Sequence, residues 1–119
     1  MKRFILILSA LFLVSCAEAQ NEPITSFSKA KLQEGALLVD VRTPGEFQQG
    51  HLDGAQNIDW LNPNFASKWS AVDKNRKIYV YCKVGGRSAQ SAQKLRDMGF
   101  KHVVNLTGGY DAYLAAKKR

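Results

Sequence analysis

Two short apolar runs, each followed directly by polar, chemically loaded residues, restrict what this chain can fold into. Residues 36–41 (A-L-L-V-D-V) and 77–82 (K-I-Y-V-Y-C) are almost continuous in aliphatic and aromatic side chains. Runs of this length without polar alternation are strands buried on both faces, the signature of a parallel sheet. Helical patterns separate them. Thr43-Pro44 opens a short helical turn through Phe47, with Pro44 near its first position, and Gly50 ends it. Residues 88–98 carry Ala89, Ala92, Leu95 and Arg96 at helical spacing, with Gly99 as the C-terminal cap. The spacing further predicts helices over 26–34 (capped by Gly35), 62–72 (Phe65, Trp69, Val72) and 110–116, and strands over 55–58 and 102–106. Strands alternating with helices give an α/β fold with a mostly parallel sheet.

The chain has 119 residues, enough for one domain. Its first part stands outside that domain. Lys2 and Arg3 precede an apolar stretch over 4–14 that only Ser9 interrupts. This stretch is shorter than the about 20 residues of a membrane span, and its layout is that of a secretory signal. Residues 1–19 are therefore expected to be a signal peptide. Leu13-Val14-Ser15-Cys16 resembles the lipobox of bacterial lipoproteins, with cleavage before Cys16, whereas Ala17-Glu18-Ala19 fits ordinary secretion, with cleavage before Gln20. Lipidation at Cys16 is preferred because Cys16 abuts the apolar stretch. Residues 20–25 then read as a linker and 26–117 as the folded domain. Loss of Lys2 and Arg3 takes the formal charge from +7 to +5. That field suits small anionic substrates. The scattered basic residues form no nucleic-acid stripe, and Lys117-Lys118-Arg119 reads as a solvated tail.

Cysteine usage focuses attention on one residue. Of the two cysteines, Cys16 falls in the signal region, leaving Cys82 as a single thiol without an internal disulfide partner. A free thiol in an oxidising compartment is unusual. Cys82 stands at the end of its strand, where open α/β sheets bind ligands. The loop Cys82-Lys83-Val84-Gly85-Gly86-Arg87-Ser88 leads straight into a helix N-terminus. Backbone N–H groups and the helix dipole there stabilise an anion and favour thiolate. Gly85 and Gly86 let the loop curl, and Lys83 and Arg87 add positive charge. This is a site for sulfur or phosphorus chemistry on an anion. Protein tyrosine phosphatases place His before the cysteine and five residues between it and the arginine. Here Tyr81 precedes Cys82 and only four residues separate it from Arg87, a tighter cradle that favours sulfur over phosphate.

The sequence resembles the rhodanese family. Residues 82–88 match its C-x-x-G-x-R-S loop. Residues 39–58 (V-D-V-R-T-P-G-E-F-Q-Q-G-H-L-D-G-A-Q-N-I) follow its upstream motif, departing only at Leu52, and Leu106-Thr107-Gly108-Gly109-Tyr110 resembles its closing L-x-G-G motif. The match runs over about residues 27–114. In size and export signal the chain is similar to small periplasmic thiosulfate sulfurtransferases of the phage-shock type.

The resemblance implies a three-layer α/β fold and a cofactor- and metal-free ping-pong reaction. In it, the Cys82 thiolate takes the outer sulfur of thiosulfate, or a similar anionic donor, and passes it to cyanide or a thiol acceptor, a small molecule or a redox protein. The backbone of Lys83, Val84, Gly85, Gly86, Arg87 and Ser88 would hold the anion. Lys83 is expected at the mouth. Arg87 either steers the anion or pairs with a carboxylate to brace the loop. Asp40 and Arg42 either line the site or, preferably, join Glu46 and His51 in a buried polar network. His51 and His102 are read as structural, and Trp60, Phe65 and Trp69 as core or pocket wall. Competing functions are a non-catalytic persulfide carrier or interaction module and, at lower rank, a small phosphatase or arsenate reductase. The expected location is the bacterial cell envelope or periplasm, with membrane attachment through lipid on Cys16 as one form.

Overall fold

The structure is a computed structural model that describes residues 20–118; the proposed signal peptide and the Cys16 site lie outside the described residues. The elements run β1 (Asn21–Pro23), a 3-10 turn (Ile24–Ser26), α1 (Ala30–Gln33), β2 (Leu37–Asp40), α2 (Pro44–Gln49), β3 (Gln56–Asn57), a second 3-10 turn (Ala66–Trp69), β4 (Lys77–Tyr81), α3 (Gly86–Asp97), β5 (His102–Thr107) and α4 (Gly109–Lys117). The sheet order is β1-β5-β4-β2-β3, and every pairing is parallel. The expected α/β architecture is thus observed.

The two apolar runs occupy adjacent central positions because both of their faces must be covered. Along β4, Ile78, Val80 and the following Cys82 face one core, while Tyr79 and Tyr81 face the other. Along β2, Leu37, Val39 and the following Val41 face the first core and Leu38 the second. The first core is closed by Ala92 and Leu95 of α3 with Phe65, Trp69 and Phe100. The second is closed by Ile24 and Leu52, with Leu32 of α1 and Tyr110 and Tyr113 of α4 packed against it. Sheet and two covering layers make the three-layer arrangement.

Three local expectations need correction. Residues 20–25 are not a linker, because Asn21, Glu22 and Pro23 pair in parallel with Asn105, Leu106 and Thr107 as an edge strand. Pro23 is tolerable there because an edge strand leaves one side of its backbone unpaired. The helix over 26–34 is reduced to the single turn of α1. Phe27 is extended and lies edge-on against Tyr79 with centroids 5.1 Å apart, so core packing overrides the helical spacing. The helix over 62–72 is only a 3-10 turn. Asp59 and Asn62 accept from the N–H groups of Leu61 and Asn64 at 2.9 and 2.8 Å, and such Asx turns compete with helical hydrogen bonding. Among the described residues no helix is long and apolar enough to cross a membrane.

Candidate active site

Cys82 follows the last residue of β4, at the carboxyl end of the sheet's central strand. The chain reverses through Gly85, whose φ of +117° lies in the left-handed region that a side chain resists, and enters α3. This reversal aims backbone donors at the sulfur. The Gly85 N–H donates to Cys82 Sγ at 3.0 Å, and the Ser88 hydroxyl lies 3.3 Å from it. Burial pushes the thiol pKa up, since the residue is only 1% exposed. The Ser88 hydroxyl and the N–H groups of Ser88, Gly85 and Val84 outweigh that effect, so the pKa is lowered overall from the ordinary thiol value. The resulting pocket floor stabilises a sulfur anion with neutral donors and the N-terminus of a twelve-residue helix.

The loop's two cations do not reach freely into this floor. Arg87 forms a two-pronged pair with Glu46, Nη1 to Oε1 at 2.6 Å and Nη2 to Oε2 at 2.9 Å. Of the two roles considered for Arg87, this geometry is the bracing one. Glu46 is held from its other side as well. Thr43 and Glu46 form a reciprocal capping box at the start of α2, with Glu46 N–H donating to Thr43 Oγ1 at 3.3 Å and Thr43 N–H to Glu46 Oε1 at 3.3 Å. Arg87 above all, with help from Thr43, holds the Glu46 carboxyl down at about 2 against its desolvation. Lys83, at the exposed rim, pairs with Asp111 of α4, Nζ to Oδ2 at 2.9 Å. Val84 between them is 66% exposed and leaves the loop's crest open to solvent.

Asp40 and Arg42 form a buried pair at the carboxyl end of β2. Arg42 donates through Nε and Nη2 to Asp40 at 3.0 and 2.7 Å and through Nη2 to the Gly50 carbonyl at 2.7 Å. The guanidinium also lies over the Tyr110 ring, 4.5 Å from its centroid. The expected buried network exists, but its membership differs. Glu46 turns to Thr43 and Arg87, while exposed His51 stacks on Phe47 at 3.7 Å and bonds its carbonyl through Nδ1. Tyr81 is buried, and its hydroxyl accepts the Leu52 N–H at 3.0 Å. Desolvation raises its pKa far above the ordinary tyrosine value, so it stays a neutral structural group.

The L-x-G-G segment acquires a role that sequence reasoning left blank. The Tyr110 N–H donates to the Cys82 carbonyl at 2.8 Å and the Asp111 N–H to the Lys83 carbonyl at 3.1 Å. Gly109, with φ of +65°, permits this approach, since a Cβ there would collide with the Lys83 carbonyl and come within 2.7 Å of the Cys82 oxygen. Glu46 was legible as part of the Thr43-x-x-Glu46 capping pattern, though its bond to Arg87 was not. Asp111 carried no local signal.

The matching family model is described as a rhodanese-like domain and covers residues 25–116. The chain is 34% identical over 99 residues to the mitochondrial protein HIGH ARSENIC CONTENT 1 of Arabidopsis thaliana, which covers 75% of this chain but spans only 59% of that protein. It is 39% identical over 70 residues to the thiosulfate sulfurtransferase PspE of Escherichia coli, covering 59% of this chain and 67% of that one. The human single-domain sulfurtransferase TSTD1 superposes with a TM-score of 0.60 at 28% identity, covering 72% of this chain and 88% of that chain. A buried thiol aimed at by loop N–H groups at the end of a parallel strand, together with these matches, places the chain in the rhodanese-like domain family.

Proposed function

We propose that the protein is a sulfurtransferase that carries a sulfane sulfur on Cys82. The observation that carries this reading is the Gly85 N–H donating to Cys82 Sγ at 3.0 Å in a loop with only four residues between Cys82 and Arg87. The thiolate attacks the outer sulfur of thiosulfate, forms the S–S bond of a Cys82 persulfide and releases sulfite with the electron pair of the broken bond. Cyanide or a thiolate then attacks the outer sulfur, forming thiocyanate or a new persulfide, and the electron pair returns to Cys82 as thiolate. The N–H groups of residues 83–88 hold the negative charge throughout, and no proton transfer at sulfur is needed once the thiolate exists. Thiosulfate is the preferred donor by analogy with PspE, a thiosulfate sulfurtransferase.

The reaction is tested by thiocyanate formation. Wild-type reduced protein should release sulfite and form thiocyanate, and Cys82→Ser should do neither. Folded wild type that forms none with thiosulfate would remove that donor. Intact mass after thiosulfate treatment separates an enzyme from a carrier, because a lasting adduct of about +32 Da without turnover favours the carrier. Export to the cell envelope, with or without lipid on Cys16, belongs to the same proposal. It rests on the layout of residues 1–19, and mass spectrometry of the mature N-terminus tests it.

A further inference from the structure

Asp111 meets Lys83 twice. Its backbone N–H donates to the Lys83 carbonyl at 3.1 Å, and its carboxylate accepts from Lys83 Nζ at 2.9 Å. The backbone bond fixes the first turn of α4 against the loop, so the carboxylate is rooted beside the lysine it faces. Both side chains are about half exposed, and exposed pairs contribute little to stability. The effect of the pairing is therefore to be sought on what approaches the loop.

A sulfur donor must bring its outer sulfur to Cys82 Sγ, leaving its anionic group outward on the rim where Lys83, the next residue, stands. At the other cation, Glu46 offsets Arg87 in the same way, but Glu46 also caps α2 and braces the loop. Asp111 stands in the first turn of α4, where its charge also favours the helix dipole, but among the described residues Lys83 is the one side chain its carboxylate bonds, and it caps no second element.

We propose that Asp111 is a specificity-determining residue: its carboxylate offsets the Lys83 charge at the rim and so sets how strongly the site attracts a dianionic sulfur donor. The proposal deepens the sulfur-transfer reading and rests on it. A carboxylate acting through solvent at about 8 Å should weaken encounter about two-fold for a singly charged donor and about five-fold for a doubly charged one at low ionic strength. The charge of the donor, not its chemistry, is the variable.

Thiosulfate and methanethiosulfonate supply the comparison. Each delivers its terminal sulfur to the Cys82 thiolate, the first releasing sulfite and the second methanesulfinate, but they carry two charges and one. In Asp111→Asn, kcat/KM for thiosulfate should rise about five-fold and for methanethiosulfonate about two-fold at low ionic strength. Both gains should fade in high salt and persist in a Lys83→Met background, because the carboxylate repels the donor whether or not Lys83 is charged, while Asp111→Glu keeps the wild-type values. Equal changes for the two donors, a fall for either, or a gain that does not fade in high salt would overturn the assignment. Absence of Cys82-dependent turnover with both donors would instead overturn the sulfur-transfer reading, and this assignment with it.

Discussion

Replacing Gly109 by alanine should damage the Cys82 loop from a position outside it. Gly109 sits at φ +65°, where a Cβ costs roughly 1–2 kcal/mol. The added methyl also meets backbone, the carbonyls of Lys83 and Cys82, which cannot rotate aside as a side chain would. Relief requires α4 to withdraw from the loop. That movement loses or lengthens the bonds from Tyr110 N–H to Cys82 O and from Asp111 N–H to Lys83 O, each worth about 1 kcal/mol net. The total is about 3–4 kcal/mol. Gly99 supplies the control. Its φ is +99°, but an added Cβ meets nothing within 4 Å, so Gly99→Ala should cost only the backbone strain of roughly 1–2 kcal/mol. Urea unfolding should therefore place the Gly109→Ala midpoint about 1–2 M below that of Gly99→Ala. Persulfide formation at Cys82 should also slow in Gly109→Ala beyond anything seen in Gly99→Ala. Coincident midpoints for the two variants would show that the α4–loop contact carries no energy and refute the reasoning.

Three further outcomes follow from the same geometry. Ser88→Ala removes a group that lowers the Cys82 pKa, so the rising limb of the pH–rate profile for persulfide formation should move to higher pH, as stopped-flow rates against pH will show. Glu46 has its folded pKa depressed to about 2, so its stabilisation is fully present above its unfolded value near pH 4.5 and is lost as pH falls toward 2. After allowance for its partial exposure this is about 1–2 kcal/mol, and Glu46→Gln should flatten the acid limb of stability measured by urea titration between those values. Asp40→Asn leaves the Arg42 guanidinium buried opposite a neutral amide, and calorimetry should register a loss of about 3–5 kcal/mol because Arg42 is only 4% exposed.

Residues 36–41 and 77–82 were readable as strands because apolar side chains on both faces leave a segment of that length few alternatives. The helix after Cys82 was readable from its spacing and from Gly99. The segments over 26–34 and 62–72 misled for a common reason. Their helical spacing was real, but Phe27 packs better extended against Tyr79, and the Asx turns at Asp59 and Asn62 divert the backbone. The edge strand of residues 21–23 was invisible, since its partner at residues 105–107 lies at the far end of the chain.

The sequence by itself determined that Cys82 would stand at the end of a buried parallel strand, in a glycine loop feeding a helix N-terminus. Those are local consequences of side-chain period and of glycine's tolerance of positive φ. Only the tertiary structure decided how the loop's charges are used. Arg87 meets a carboxylate 41 residues away and Lys83 one 28 residues away. Such partners are chosen by which strand ends and helix starts converge at one edge of the sheet. That convergence is a property of the sheet order and of the packing of α2 and α4 beside the loop, and no local pattern encodes it.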